Sequence, residues 1–113
     1  MPTINIADTF GRIFATVEVR SFSLDRSLAM HRTMTHDAKG WSVTHVRTGA
    51  SIVDGVPLRD AERILDASAF AYGKELRRIQ FAAKPLAKSI KPGIASVIRA
   101  TMGNRSPAWA MNA

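Results

Sequence analysis

Between Val53 and Leu58 the chain changes its period. Before that point apolar residues recur at every second position; after it they recur at every third or fourth. Side chains of a strand alternate between two faces, whereas those of a helix return to one face after three or four residues. The stretch Asp54-Gly55-Val56-Pro57 therefore separates a sheet-forming part from a helix-forming part. A chain of 113 residues has room for one such core and little more. The fold class expected is α+β: an antiparallel meander of three to four strands packed by a long helix and followed by a short basic C-terminal helix.

The alternating part divides at its turn residues. In residues 13–20, IFATVEVR, the side chains of Ile13, Ala15, Val17 and Val19 would share one face. Residues 27–34, SLAMHRTM, and 41–48, WSVTHVRT, make the next two strands. HDAKG at 36–40 joins them, with Asp37 and Gly40 supplying turn chemistry. SIVDG at 51–55 makes a fourth, so the sheet is expected to occupy 13–55.

A helical alternative exists at the N-terminus, where Ile6, Phe10, Ile13, Phe14 and Val17 fall at helical spacing behind Asp8 as a cap. Gly11 and the β-branched residues weigh against it. With that helix the element order would be helix, three strands, helix, which resembles the double-stranded RNA-binding domain. That family grips phosphates with lysines at the start of its final helix. Here the turn reads Leu58, Arg59, Asp60, Ala61, Glu62, with carboxylates in that place, so the family is not carried over.

Pro57 is suited to opening a helix, where its missing N–H costs nothing, and Asp60 and Glu62 lie where the helix dipole favours them. Leu58, Ala61, Leu65, Ala69, Tyr72, Leu76, Ile79 and Ala83 then form one apolar stripe. A helix over 57–84 would be about 42 Å long, against about 20–27 Å for the strands. Its C-terminal half would overhang the sheet and meet the last helix or a second copy of the chain. Tyr72, Leu76 and Ile79 are the candidates for such a homodimer interface. KPG at 91–93 is expected to break the helix, and IASVIRATM at 94–102 to form the last one, stopped by Gly103. Residues 1–102 are thus read as a single domain, 57–102 as its helical basic region and 103–113 as a flexible tail.

Charge is what points to a partner. Through Glu75 nine basic residues face nine acidic ones; beyond it come seven basic residues and no acidic one, so the net charge of +7 resides in the final third. Segregation of this kind suits a polyanion, an acidic protein or an anionic membrane. On a continuous helix Arg77, Phe81, Lys84, Lys88 and Lys91 would share one side, with Leu76, Ile79, Ala83, Leu86 and Ile90 opposite. Arg78 would lie beside that stripe and Arg99 on the last helix. The expected function is a non-catalytic module that contacts nucleic acid through Arg77, Arg78, Lys84, Lys88 and Lys91, with Phe81 stacking on a base and Arg99 adding charge. An alternative is a small inhibitor or adaptor, of the kind phages and mobile elements carry, that docks on the acidic surface of a nucleic-acid-processing complex.

The histidines offer a third reading. If the hairpin turned around Ala38 and Lys39, His31 and His45 would lie nearly opposite one another, as an acid–base pair for RNA cleavage or, with Asp37, as a metal site. A slip of one residue would put them on opposite faces. No cofactor motif is present: HVRTGAS has a single glycine where a phosphate loop needs several. No apolar run approaches the ~20 residues of a membrane span. The first ten residues carry no secretory pattern, and cysteine is absent; a cytoplasmic protein is expected.

Overall fold

A computed structural model of the chain describes residues 2–8, 10–34, 40–81 and 86–103, the side chains of 87 and 89 excepted. Six strands come first: β1 (Thr3–Ala7), β2 (Ile13–Glu18), β3 (Ser21–Phe22), β4 (Leu28–Arg32), β5 (Trp41–His45) and β6 (Ser51–Val56). Helix α1 (Leu58–Arg78) follows, then a π-helical turn (Leu86–Ile90) that runs directly into α2 (Lys91–Met102). The protein is α+β, with one antiparallel sheet of two strands and another of four in the order β3-β4-β5-β6.

The N-terminal segment is a β-hairpin, so the order of a double-stranded RNA-binding domain does not arise. β1 pairs with β2 from Thr3↔Glu18 to Ala7↔Ile13. The Asp8 carboxylate accepts from the backbone N–H groups of Phe10 and Arg12, both at 2.9 Å, which closes the turn and uses Asp8 there instead of at a helix cap. Ile13 is exposed, although the alternation had placed it with buried Val17 and Val19; a register shift at the Ile6/Ala7 end of the hairpin turns it outward.

Three layers result. Residues paired across an antiparallel ladder point to the same side, so Leu28↔His45, Met30↔Val43 and Arg32↔Trp41 share one face of the sheet and Ala29↔Thr44 and His31↔Ser42 the other. On the first face Leu28, Met30, Val43 and Val53 pack with Ile64, Leu65 and Leu76 of α1 and with Ile94, Ile98 and Met102 of α2. On the second, Ala29 packs with Ile4, Ile6, Val17 and Val19 of the hairpin. The remaining polar side chains of that face are joined by hydrogen bonds. Ser42 Oγ and Ser51 Oγ donate to the two oxygens of Asp54, each at 2.7 Å, and Thr33 Oγ1 lies 2.8 Å from Ser42 Oγ. Burying Ser42 and Thr44 is tolerable because their hydroxyls find partners.

Helix α1 is shorter than its apolar stripe implied. Its last carbonyls are taken by groups from the β5–β6 corner: His45 Nε2 donates to Leu76 O at 2.6 Å and Arg47 Nη1 to Arg77 O at 2.9 Å. The last four carbonyls of a helix have no partner within it, and a guanidinium at that end also meets the negative pole of the helix. Ile79 follows in extended conformation, φ −76° and ψ 122°, and its side chain turns into the core. The overhang expected of a helix reaching residue 84 therefore does not form. Lys91, Pro92 and Gly93 are the first turn of α2 and not a break, with Pro92 at a position that needs no N–H donor. Gly103 ends α2 with φ +62°, its N–H bonded to Arg99 O at 2.8 Å.

The two helices come together at Gly93. A Cβ on this residue would overlap the Tyr72 hydroxyl, so glycine is what allows the Tyr72 ring to lie against the start of α2. Tyr72 is half-buried by that contact, Leu76 is fully buried and Ile79 nearly so. The three residues expected at a homodimer interface are thus used inside one chain, where α2 supplies the cover that a second copy was expected to give.

Candidate anion-binding site

The expected cationic stripe depended on one helix running past Pro85. It does not: α1 ends at Arg78 and Ile79 is extended, so the helix that carries Arg77 is not the one that carries Lys91. Angles counted around a single axis from Arg77 to Lys91 therefore lose their meaning. Individually, Arg78, Phe81, Lys88 and Arg99 are exposed, Phe81 to 80%, and Lys91 is half-buried. Lys84 lies outside the described residues. Arg77 is exposed but engaged, its Nη1 donating to Asp25 Oδ2 at 2.7 Å.

That ion pair marks a site that charge counting along the chain had not found. The turn between β3 and β4 is built around Asp25. Its Oδ1 accepts from Ser23 Oγ at 2.9 Å, from Ser27 N at 3.0 Å and from Ser27 Oγ at 2.7 Å, which leaves Oδ2 for Arg77. Burial pushes the Asp25 pKa upward, but the bonds from Ser27, Ser23 and Arg77 outweigh it and hold the carboxyl at about 2. Gly73 makes the approach possible, because a Cβ there would stand 2.8 Å from Asp25 Oδ2. Next to Asp25, Arg26 holds φ +62°, a conformation that costs a side-chain-bearing residue about 1 kcal/mol. The Arg26 guanidinium lies over the Phe22 ring, 5.1 Å from its centre.

Asp25, Arg26, Arg47 and Arg77 line one cleft of about 320 Å³ at the end of α1. Three arginines from three separate segments thus line the cleft that holds this carboxylate, and Arg78 follows at once along the chain. His45 reaches the floor of this cleft but adds no charge. Leu76 O can only accept, so Nε2 of His45 carries the proton and Nδ1 accepts from Thr48 Oγ1 at 2.7 Å. Burial, and secondarily the charge of Arg47, pull its pKa below the usual histidine value, which keeps the ring neutral.

His31 and His45 do not form a dyad. The register pairs His31 with Ser42 and His45 with Leu28, three residues away from the pairing that would have set them together, and because that shift is odd they emerge on opposite faces. His31 Nδ1 donates to Arg32 O and its Nε2 accepts from Thr44 Oγ1, both at 2.7 Å. Both rings are buried, and both spend their two nitrogens on structure. Among the described residues no group of three or more metal-ligating side chains converges. No helix of the described residues is long and apolar enough to cross a membrane.

A second basic site lies where β2, β4 and β5 approach one another. Arg20 and Arg32 place their guanidinium carbons 5.2 and 4.8 Å from the centre of the Trp41 ring. Trp41 is half-buried, packs against the core and lines an open cleft. Exposed apolar side chains lie elsewhere: Leu24 and Phe70 line a depression with Ala69, Asp66 and Arg77. Compared with protein-family models, curated proteins and solved structures, the chain matches none.

Proposed function

We propose that this protein is a non-catalytic binding module that holds the phosphate backbone of a nucleic acid, with its principal contact at the end of α1. The observation that carries the reading is that Arg26, Arg47 and Arg77 line one cleft together with Asp25. Arg77 and Asp25 cancel, so Arg26, Arg47 and the adjacent Arg78 remain as exposed cations. Guanidinium groups bind phosphate oxygens through paired N–H donors, and such contacts release counterions whatever the base sequence. Phe81, exposed just beyond the helix, is available to stack on an unpaired base. Lys88 and Arg99, exposed on the π-helical turn and α2, add positive charge. Contacts of this sort fix position and carry no sequence information, so broad affinity for DNA and RNA is expected. Nucleic acid would be met in the cytoplasm.

Mobility-shift titrations with mixed-sequence DNA and RNA test the proposal, comparing the natural chain with one carrying Arg26→Gln, Arg47→Gln and Arg78→Gln. Binding by the natural chain that the triple change weakens supports it. Equal binding by both, or none by either at low salt, overturns it.

A second reading is favoured by the exposed Leu24 and Phe70 beside Ala69, since phosphate recognition has no use for such side chains. On this reading the chain is an inhibitor or adaptor that docks on a nucleic-acid-processing protein. Capture of one defined protein from nuclease-treated lysate, lost in Leu24→Ser with Phe70→Ser, would support it; capture unaffected by those changes would not.

A further inference from the structure

We infer that the cleft between the N-terminal hairpin and the sheet, at Trp41, is a second binding site, and that its ligand is a phosphate group. The site is distinct from the one at the end of α1 and is built from different segments. Its volume is about 460 Å³, and Thr16, Glu18, Arg20, Arg32, Met34 and Trp41 line it. Clefts of about 300–1,000 Å³ take ligands of the size of a nucleotide.

Two guanidinium groups within about 5 Å of one indole centre are within about 10 Å of each other, taking the two distances together. Like charges at that spacing repel, and the π-face of Trp41 offsets only part of the repulsion. Glu18 lines the same cleft but makes no ion pair with either arginine among the described residues. The cleft is therefore cationic on balance, and an anion placed between Arg20 and Arg32 removes the repulsion.

Stacking also orders the two side chains before any ligand arrives, which lowers the conformational entropy lost on binding. A guanidinium lying over a ring keeps its N–H edge free, and that edge matches the oxygens of a phosphate. The backbone beneath is anchored as well: Arg20 N donates to Met30 O at 2.8 Å, and Arg32 and Trp41 are paired directly across β4 and β5. A phosphate can come from a free nucleotide or from a strand of nucleic acid, and the two sources differ in how affinity depends on chain length.

Indole fluorescence provides the test. In the Trp109→Phe protein Trp41 is the only indole, and the probes are adenosine triphosphate and a ten-nucleotide single-stranded DNA. Saturable change of Trp41 emission is expected with at least one probe, and Arg20→Gln or Arg32→Gln should weaken that probe by about tenfold or more, the usual cost of a lost charge-assisted bond. Glu18→Gln should strengthen it several-fold, which a merely structural role for these residues would not produce. Tighter binding of the oligonucleotide identifies a strand as the source; equal or tighter binding of the nucleotide identifies a free ligand. The inference is overturned if neither probe alters the emission at millimolar concentration, or if the Arg20→Gln, Arg32→Gln double variant, shown by circular dichroism to be folded, gives an undiminished change of Trp41 emission. Phosphorus NMR line broadening of adenosine triphosphate by the unaltered chain, reduced by Arg20→Gln with Arg32→Gln, gives the same reading without the Trp109 change. Because Arg26, Arg47 and Arg78 are intact throughout, failure here leaves the reading of the α1 cleft untouched, and the converse also holds.

Discussion

Arg77, in the last turn of α1, holds Asp25, in the turn between β3 and β4, through a 2.7 Å ion pair between residues 52 positions apart. The pair joins the helix to the edge of the sheet, at the cleft that Arg26 and Arg47 also line. Replacing Asp25 by Asn removes the ionised acceptor of Ser23, Ser27 and Arg77 together. A loss of about 1–3 kcal/mol in urea denaturation is expected. The same change frees a cation in the cleft, so affinity for polyanions should rise while stability falls. A change that weakened both would separate the cleft from binding.

Acid should act through the same carboxylate. Its pKa in the fold is about 2, against an ordinary 3.8. A depressed carboxyl pKa contributes stability that is fully present above the ordinary value and is lost as pH falls through the lower one. Between about pH 4 and pH 2 the natural chain should therefore lose more stability than the Asp25→Asn variant, as read by urea denaturation at each pH.

The histidines set a second, milder window. Burial lowers the pKa of both His31 and His45 below 6.5, against smaller opposing effects of backbone bonds to Arg32 and Leu76 and of Asp54 near His31. The unfolded chain then binds protons that the fold refuses, so stability should fall as pH drops below 6.5. Thermal unfolding at pH 7.5 and pH 5.5 checks this. His45→Gln should flatten the dependence, at the cost of a weaker end to α1.

Helix packing gives a prediction with a built-in control. Gly93→Ala drives a methyl group into Tyr72, and overpacking of this kind costs about 1–3 kcal/mol. Tyr72→Ala should recover part of that loss when the two changes are combined, because they act on one contact. Purely additive losses would mean that the helices do not meet there.

Leu76 and Phe81 separate the core from the surface. Leu76→Ala should cost about 2–5 kcal/mol, since Leu76 is fully buried. Phe81→Ala should change stability by less than about 0.5 kcal/mol and show itself only in binding to single strands. If Leu76 instead lay at a dimer interface, Leu76→Ala would chiefly change the oligomeric state seen by sedimentation.

Much of the architecture was legible because periodicity reports burial. Val43 and Val53, and Leu65 and Leu76, betrayed the two faces that meet in the core, and Pro57 and Gly103 marked the beginning of one helix and the end of the other. β1 was hidden because Ile4 and Ile6 are too few to show an alternation. The end of α1 was hidden because its apolar stripe continues past the point where His45 and Arg47, thirty or more positions away, take its carbonyls. The same distance concealed the cleft. Arg26 and Arg47 lie in the electrically balanced part of the chain, and only the folding of the sheet brings them to Arg77. Clustering along the sequence had directed attention to Lys88 and Lys91 instead.

The most direct measurement is the dependence of nucleic-acid affinity on salt, taken with mixed-sequence duplex and single strands from about 50 to 200 mM. The logarithm of the binding constant should fall linearly with the logarithm of salt concentration. Each of Arg26→Gln, Arg47→Gln and Arg78→Gln should reduce the slope by about one on duplex and somewhat less on single strands. Affinity that ignores salt, or a slope that survives all three changes, would contradict a phosphate-binding cleft at the end of α1.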